Sequence, residues 1–395
     1  MSGTRQSDRI LRVLWAIVAL GVASTAAALP NDPKGPNLEA VGEQLTTIFN
    51  ERQTDTLAGM LDVNALAQRV AANVYENDRG RADFVRGFSN SAQPKTLVDA
   101  FFMRLDRSPE SAVKFMKVVT RGSESRPLLR FKYGEGGFEY IEFVLQSDAK
   151  GNVKIIDWAP LSAGELYSAA IGRMARILTD PAPGLIKTLL GMPQMDEASL
   201  KHLKTAAELR RKGDLKGAYQ EMEKLPAPIA DSRVILTGRA SLASEAGDDD
   251  GYRKVLARLE ELHGKDPAAA FMLIDHYFYS KDVEKCLQAI TAIEGRVGVD
   301  GITQMLRANI YMTVGKHSEA VTYARKAIEV EPDLPDPYFT LAQSHVALGQ
   351  FAEAIETYST LQEDFGYQFT KDNFAQDATF TKFIASAQFK KWLHP

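Results

Sequence analysis

Along residues 199–366 apolar positions follow a helical rhythm that breaks at a fixed interval. Turn positions stand at Gly213, Gly247, Lys281, Gly315 and Gly349, each 34 residues from the last. A glycine inside a good helical run costs about 1 kcal/mol against alanine, so a recurring one marks a turn between two helices. Seven residues before each turn stand Ala206, Ala240, Ile274, Ala308 and Ala342; five after it stand Ala218, Tyr252, Cys286, Ala320 and Ala354. Mostly small residues in both columns let antiparallel helices approach closely. Nine and twelve residues after the turns the columns are again mainly apolar, for instance Leu256 with Leu259 and Ile290 with Ile293. Those spacings share one helix face, which the next hairpin must cover.

The amino-terminal half has another texture. Residues 37–106 read as helices, among them "LEAVGEQLTTIFN" and "LVDAFFMRL". From Ala112 the runs "AVKFMKVVTR", "PLLRFKY", "GFEYIEFVLQ" and "NVKIIDWAP" alternate with GSES, GEGG and DAKGN, which predicts a four-stranded antiparallel meander. Strands flank GEGG on both sides, so it reads as a hairpin turn and not as a phosphate loop. A helix is expected over 162–178, opened by a capping box of Ser162 and Glu165 with Leu161 and Leu166 as its hydrophobic staple. Asp157, at the end of the last strand, is left over as a candidate ligand or acid/base residue. The layout of this half is similar to a cystatin-like or NTF2-like cone, on element order alone.

The repeated hairpins resemble the tetratricopeptide repeat family over about residues 199–366. Departures from its pattern are Tyr252 at a small-residue position, Lys281 in place of a turn glycine, and a terminal proline only at Pro332. The expected fold is therefore an α+β domain, helices plus a four-stranded antiparallel meander, followed by an all-α tetratricopeptide solenoid. Its expected domains are 37–179 for the α+β part, 180–198 for a linker, 199–366 for five repeats and 367–395 for the cap. The cap is read as an amphipathic helix in "NFAQDATFTKFIASAQFKKWL". The resemblance implies that the first helix of each pair lines a groove for a protein or peptide partner. In this chain the groove positions fall on Arg210, Arg211, Phe271, Asp275, Phe278, Tyr279, Met305, Asn309, Met312, Phe339 and Gln343. An aromatic and methionine-rich strip with a few amide handles suits an apolar peptide or helix. The chain's own amino-terminal domain or last helix is the alternative occupant.

At the amino terminus, Arg5, Arg9 and Arg12 precede the apolar stretch Leu14–Ala23, and Ala26-Ala27-Ala28 fits a cleavage site. Residues 1–28 thus read as a signal peptide and the protein as periplasmic or secreted, with no membrane span after cleavage; the alternative is an uncleaved anchor. Residues 196–395 hold 24 Lys and Arg against 30 Asp and Glu, and no basic stripe occurs, which argues against nucleic acid as a partner.

Candidate chemistry is sparse. The six histidines all lie in the repeat half without ligand spacing, and the single cysteine, Cys286, sits in a packing column. The run Asp248–Asp250 lacks the alternation of a calcium loop. No cofactor, no metal and no catalytic residue is expected. The sequence points to a non-enzymatic adaptor or assembly factor of the bacterial cell envelope. The competing reading is a ligand-binding or enzymatic α+β domain that the solenoid recruits to partners.

Overall fold

The computed structural model describes residues 36–75, 78–102, 105, 111–134, 137–172, 197–266 and 268–393. The predicted signal peptide and almost all of the predicted linker lie outside the described residues. The chain divides into two compact units, one ending at Met272 and the other beginning at Leu273.

The first unit opens with five helices: α1 (Leu38–Asn50), α2 (Thr54–Met60), α3 (Val63–Val74), α4 (Asp78–Ser91) and α5 (Pro94–Phe102). Four strands follow, β1 (Ala112–Arg121), β2 (Glu124–Lys132), β3 (Phe138–Ser147) and β4 (Val153–Pro160), and they form an antiparallel meander in chain order. Alternation decides which face meets the helices. Leu129, Phe131, Ile141, Phe143 and Trp158 point into one core with Leu45, Ile48 and Phe49 of α1 and Phe101 of α5. The Phe49 ring lies 4.9 Å from Phe131 and 5.7 Å from Phe101, so helix and sheet share one aromatic cluster. Gly42 sets the close approach of α1, because a Cβ there would fall 2.3 Å from the Phe115 ring.

Neither sheet edge is left bare. On β1 the Asn50 side chain donates to the Val113 carbonyl at 2.9 Å and accepts from its N–H at 2.7 Å, standing in for a neighbouring strand. On β4 a parallel bridge from Leu61 to Ile155 does the same.

The segment after β4 departs from the sequence expectation. Residues 161–166 form turns and a bend, and helix begins at 167. Ser162 therefore caps no helix; its N–H and hydroxyl instead bond the buried carboxylate of Glu139. A long-range acceptor displaced the local box: the buried Glu139 carboxylate takes both the Ser162 N–H and its hydroxyl.

Helical hairpins then follow in series: α6 (Glu197–Arg211) with α7 (Leu215–Glu223), a short α8 (Ala227–Ala230), and α9 (Arg233–Glu245) with α10 (Asp249–His263). Next come α11 (Ala270–Tyr279) with α12 (Val283–Val297), α13 (Gly301–Thr313) with α14 (His317–Val330), and α15 (Asp336–Ala347) with α16 (Phe351–Glu363). All the turn positions are left-handed: φ is 82° at Gly213, 70° at Gly247, 58° at Lys281, 75° at Gly315 and 73° at Gly349. The hydrogen-bond pattern repeats as well. The turn residue's N–H bonds the carbonyl three back, and the next N–H reaches five back, as in Lys281 to Phe278 and Asp282 to Tyr277. Ala206, Ala240, Ala308, Ala342, Ala218, Cys286, Ala320 and Ala354 are all buried, as close helix packing requires.

The cap is several short pieces rather than one amphipathic helix: α17 (Lys371–Ala375), a 3-10 turn (Ala378–Phe380), α18 (Thr381–Ala385) and α19 (Ala387–Leu393). Side-chain caps break it up, since Asp377 accepts from Thr379 N–H and the Ser386 hydroxyl from Phe389 N–H. Its rings nonetheless close the last hairpin, with Phe374, Phe383, Phe389 and Trp392 gathered around Tyr358.

Candidate functional site

Asp157 is wholly buried, and its surroundings explain it without a ligand. Its Oδ1 accepts the N–H groups of Trp158 and Ser168, each at 3.0 Å; its Oδ2 accepts the Ser168 hydroxyl at 2.5 Å and Arg69 Nε at 3.0 Å. The carboxylate thus caps the helical residues 167–172 from a strand, where the helix end presents free N–H groups. Burial pushes the Asp157 carboxyl above its ordinary value, against the pull of Arg69 and the Ser168 donors.

From Asp157 a chain of alternating charge crosses the second face of the sheet. Arg69 also reaches Glu124 at 3.1 Å, Glu124 meets Arg126 at 2.6 Å, Arg126 meets Glu142 at 3.2 Å, and Glu142 meets Arg121 at 2.6 Å. In this chain of charge three guanidinium groups alternate with three carboxylates. The arrangement ties α3, the strands and the 167 helix together. Sequence reasoning missed this chain. Its only signal was Glu124, Arg126 and Glu142 at alternating positions of otherwise β-rich runs.

Of the proposed groove residues, the first unit holds three. Arg210 is exposed and pairs with Glu245 at 2.7 Å, and Arg211 is exposed. Phe271 is not open to a partner: it is 1% exposed, with its ring centroid 5.8 Å from Phe138 and 5.9 Å from Tyr140 of β3. Here the chain's own sheet takes the place reserved for a ligand. Beside it, Gly164 lies so close to Ala268 that a Cβ would meet the alanine methyl at 2.6 Å, and Arg233 donates to the Ala163 carbonyl.

The second unit holds the remaining eight. Asp275 is fully buried, and Met305 is 7% exposed. Asn309 is 7% exposed and accepts the Thr340 hydroxyl at 2.6 Å. Phe339 is half-buried under Tyr367 and Phe369, at centroid distances of 4.9 and 6.3 Å. Phe278, Met312 and Gln343 are half-buried, and Tyr279 is 37% exposed. Phe278 and Thr313 line one small cleft with Lys281, Cys286 and Ile310, which brings the turn of one hairpin against the next. Burial raises the Cys286 thiol to about 12, with Asp282 and Asp275 adding to it, so no thiolate forms near neutral pH.

Among the described residues no three His, Cys, Asp or Glu side chains gather as a metal site, and no helix is long and apolar enough to cross a membrane. Residues 311–366 match the family model of the tetratricopeptide repeat. No curated protein matches the sequence. Among solved structures, similar folds include residues 41 to the end of MamA from Desulfovibrio magneticus RS-1, at 14% identity and a TM-score of 0.37, covering 45% of this chain and 99% of that one. Another MamA crystal structure aligns at 16% identity and a TM-score of 0.34, covering 45% of this chain and all of that one.

Proposed function

We propose that this chain, which carries tetratricopeptide repeats, is a non-enzymatic adaptor or assembly factor of the cell envelope that binds apolar segments of a protein partner. A protein-interaction role follows from the repeats; export, the envelope location and the apolar ligand are the finer parts of the reading. One observation carries it. Tyr279 remains 37% exposed on a first helix, next to Phe278, while Phe271 and Phe339 of the same strip are covered by the chain's own aromatic rings. Large apolar side chains left open among covered ones are the residues a partner would bury. The amino-terminal arginines and apolar stretch support export.

The test is affinity capture from envelope extracts, wild type beside a Phe278→Ala/Tyr279→Ala/Met312→Ala variant of unchanged helicity. A partner retained by wild type and lost by the variant supports recognition at these residues. Equal capture by both places recognition elsewhere and refutes the site. A fusion of residues 1–40 to a reporter tests export separately.

A further inference from the structure

The seam between α13 and α15 carries polar atoms that no described residue satisfies. Asn309 Oδ1 accepts the Thr340 hydroxyl at 2.6 Å, but Asn309 Nδ2 has no hydrogen-bond partner among the described residues. Neither has the Ser344 hydroxyl, one helical turn beyond Thr340 and hence on the same face of α15. All three side chains are nearly closed to solvent, at 7% for Asn309, 4% for Thr340 and none for Ser344. Burying a polar atom without a partner is costly, and one shared partner would satisfy both atoms on this seam.

The repeat register shows where room for one arises. Thirty-four residues before Ser344 the same column holds Ile310, and 34 before that His276. Ile310 is 4% exposed and fills its place with a branched apolar side chain. Ser344 is much smaller and polar, so this column carries less side-chain volume in the last hairpin. An apolar site stays dry, whereas an amide, a hydroxyl and the remaining lone pairs of Thr340 together supply the two to four polar contacts that a buried water needs.

We propose that one ordered water is an integral part of this seam, held by the Asn309 amide, the Ser344 hydroxyl and the Thr340 hydroxyl. It takes the part of a side chain in the stacking of the fourth hairpin on the fifth, and it lies at the Asn309 column of the partner strip. The inference does not depend on what the strip binds.

The test is a crystal structure of the full chain at a resolution that shows solvent, together with the thermal midpoints of Asn309→Leu, Ser344→Ala and the double variant. One water within hydrogen-bond distance of the Asn309 amide and Ser344 Oγ is the expected result. The double variant should then lose clearly less in midpoint than the two singles added, because the second substitution no longer orphans a partner. Ser344→Ile, which restores the column's apolar occupant, should expel the water. A seam that is dry in wild-type density, or strictly additive single and double losses, overturns the proposal.

Discussion

Lys281 offers a direct test of the idea that the turn column is a backbone requirement. Its φ of 58° is left-handed, as at the glycines of the four equivalent turns, whose φ values run from 70° to 82°. For a residue with a Cβ that conformation costs about 1–2 kcal/mol. Glycine removes the penalty but gives back about 0.5–1 kcal/mol through the greater freedom of the unfolded chain. Lys281→Gly should therefore stabilise the turn by about 0.5–1 kcal/mol. Little is lost elsewhere, since Lys281 is exposed, and its main-chain bond to Phe278 needs no side chain. A shift of that size raises the midpoint of a 150–250-residue body by roughly 1–4 °C. The assay is thermal unfolding by circular dichroism, with native-state hydrogen exchange of α11 and α12 to place the gain, because repeat arrays unfold in parts. Slower exchange confined to those helices is expected. A lower midpoint, or unchanged exchange there, would show that the lysine side chain supports the fold by itself and that the backbone argument fails.

The next residue after each turn gives a second test: Asp214, Asp248 and Asp282 each cap the following helix by accepting the N–H three residues on, whereas Lys316 makes no such bond. Lys316→Asp should add about 1 kcal/mol, read as a higher urea midpoint, and no gain would mean that α14 already satisfies its first turn another way. Phe271→Ala should cost about 3–5 kcal/mol in denaturant unfolding of the first unit, as expected for an aromatic removed from a closed core; a loss below about 1 kcal/mol would refute its anchoring role. Glu124 tests the charge chain. Burial alone would raise its carboxyl, but Arg126 and Arg69 outweigh that and hold it below its ordinary 4.5. A depressed carboxyl contributes stability above pH 4.5 that is lost as pH falls through the lowered value. Glu124→Gln should therefore be less stable than wild type at pH 7, with the gap closing below pH 4.5; a gap constant with pH would rule out the ion pairs as its source.

What was legible in the sequence is what local stereochemistry dictates. Turn positions every 34 residues are a demand of the left-handed backbone, met by four glycines and, under strain, by Lys281. The four strands were readable because turn residues bound each β-rich run. Long-range competition hid the rest. Ser162 and Glu165 have the right spacing for a cap, yet the hydroxyl goes to Glu139, 23 residues away in sequence, and Asp157 supplies the helix cap from a strand. The cap at the carboxyl end carries a convincing helical stripe, but Asp377 and Ser386 spend their oxygens on nearby N–H groups and divide it.

Phe271 and Phe339 carry the argument furthest. They stand two repeats apart in one column, where the tetratricopeptide resemblance implies a surface kept open for a partner. Each is instead covered by aromatic rings of its own chain: Phe138 and Tyr140 for the first, Tyr367 and Phe369 for the second. Register fixes which way a first helix points its side chains but not what meets them. An aromatic ring facing water gains from any apolar cover, and a covalently tethered cover pays less entropy to arrive than a separate chain does. Under the proposed function, the side chains of this strip that the tethered rings leave for a partner in the second unit are Tyr279 with Phe278, Met312 and Gln343.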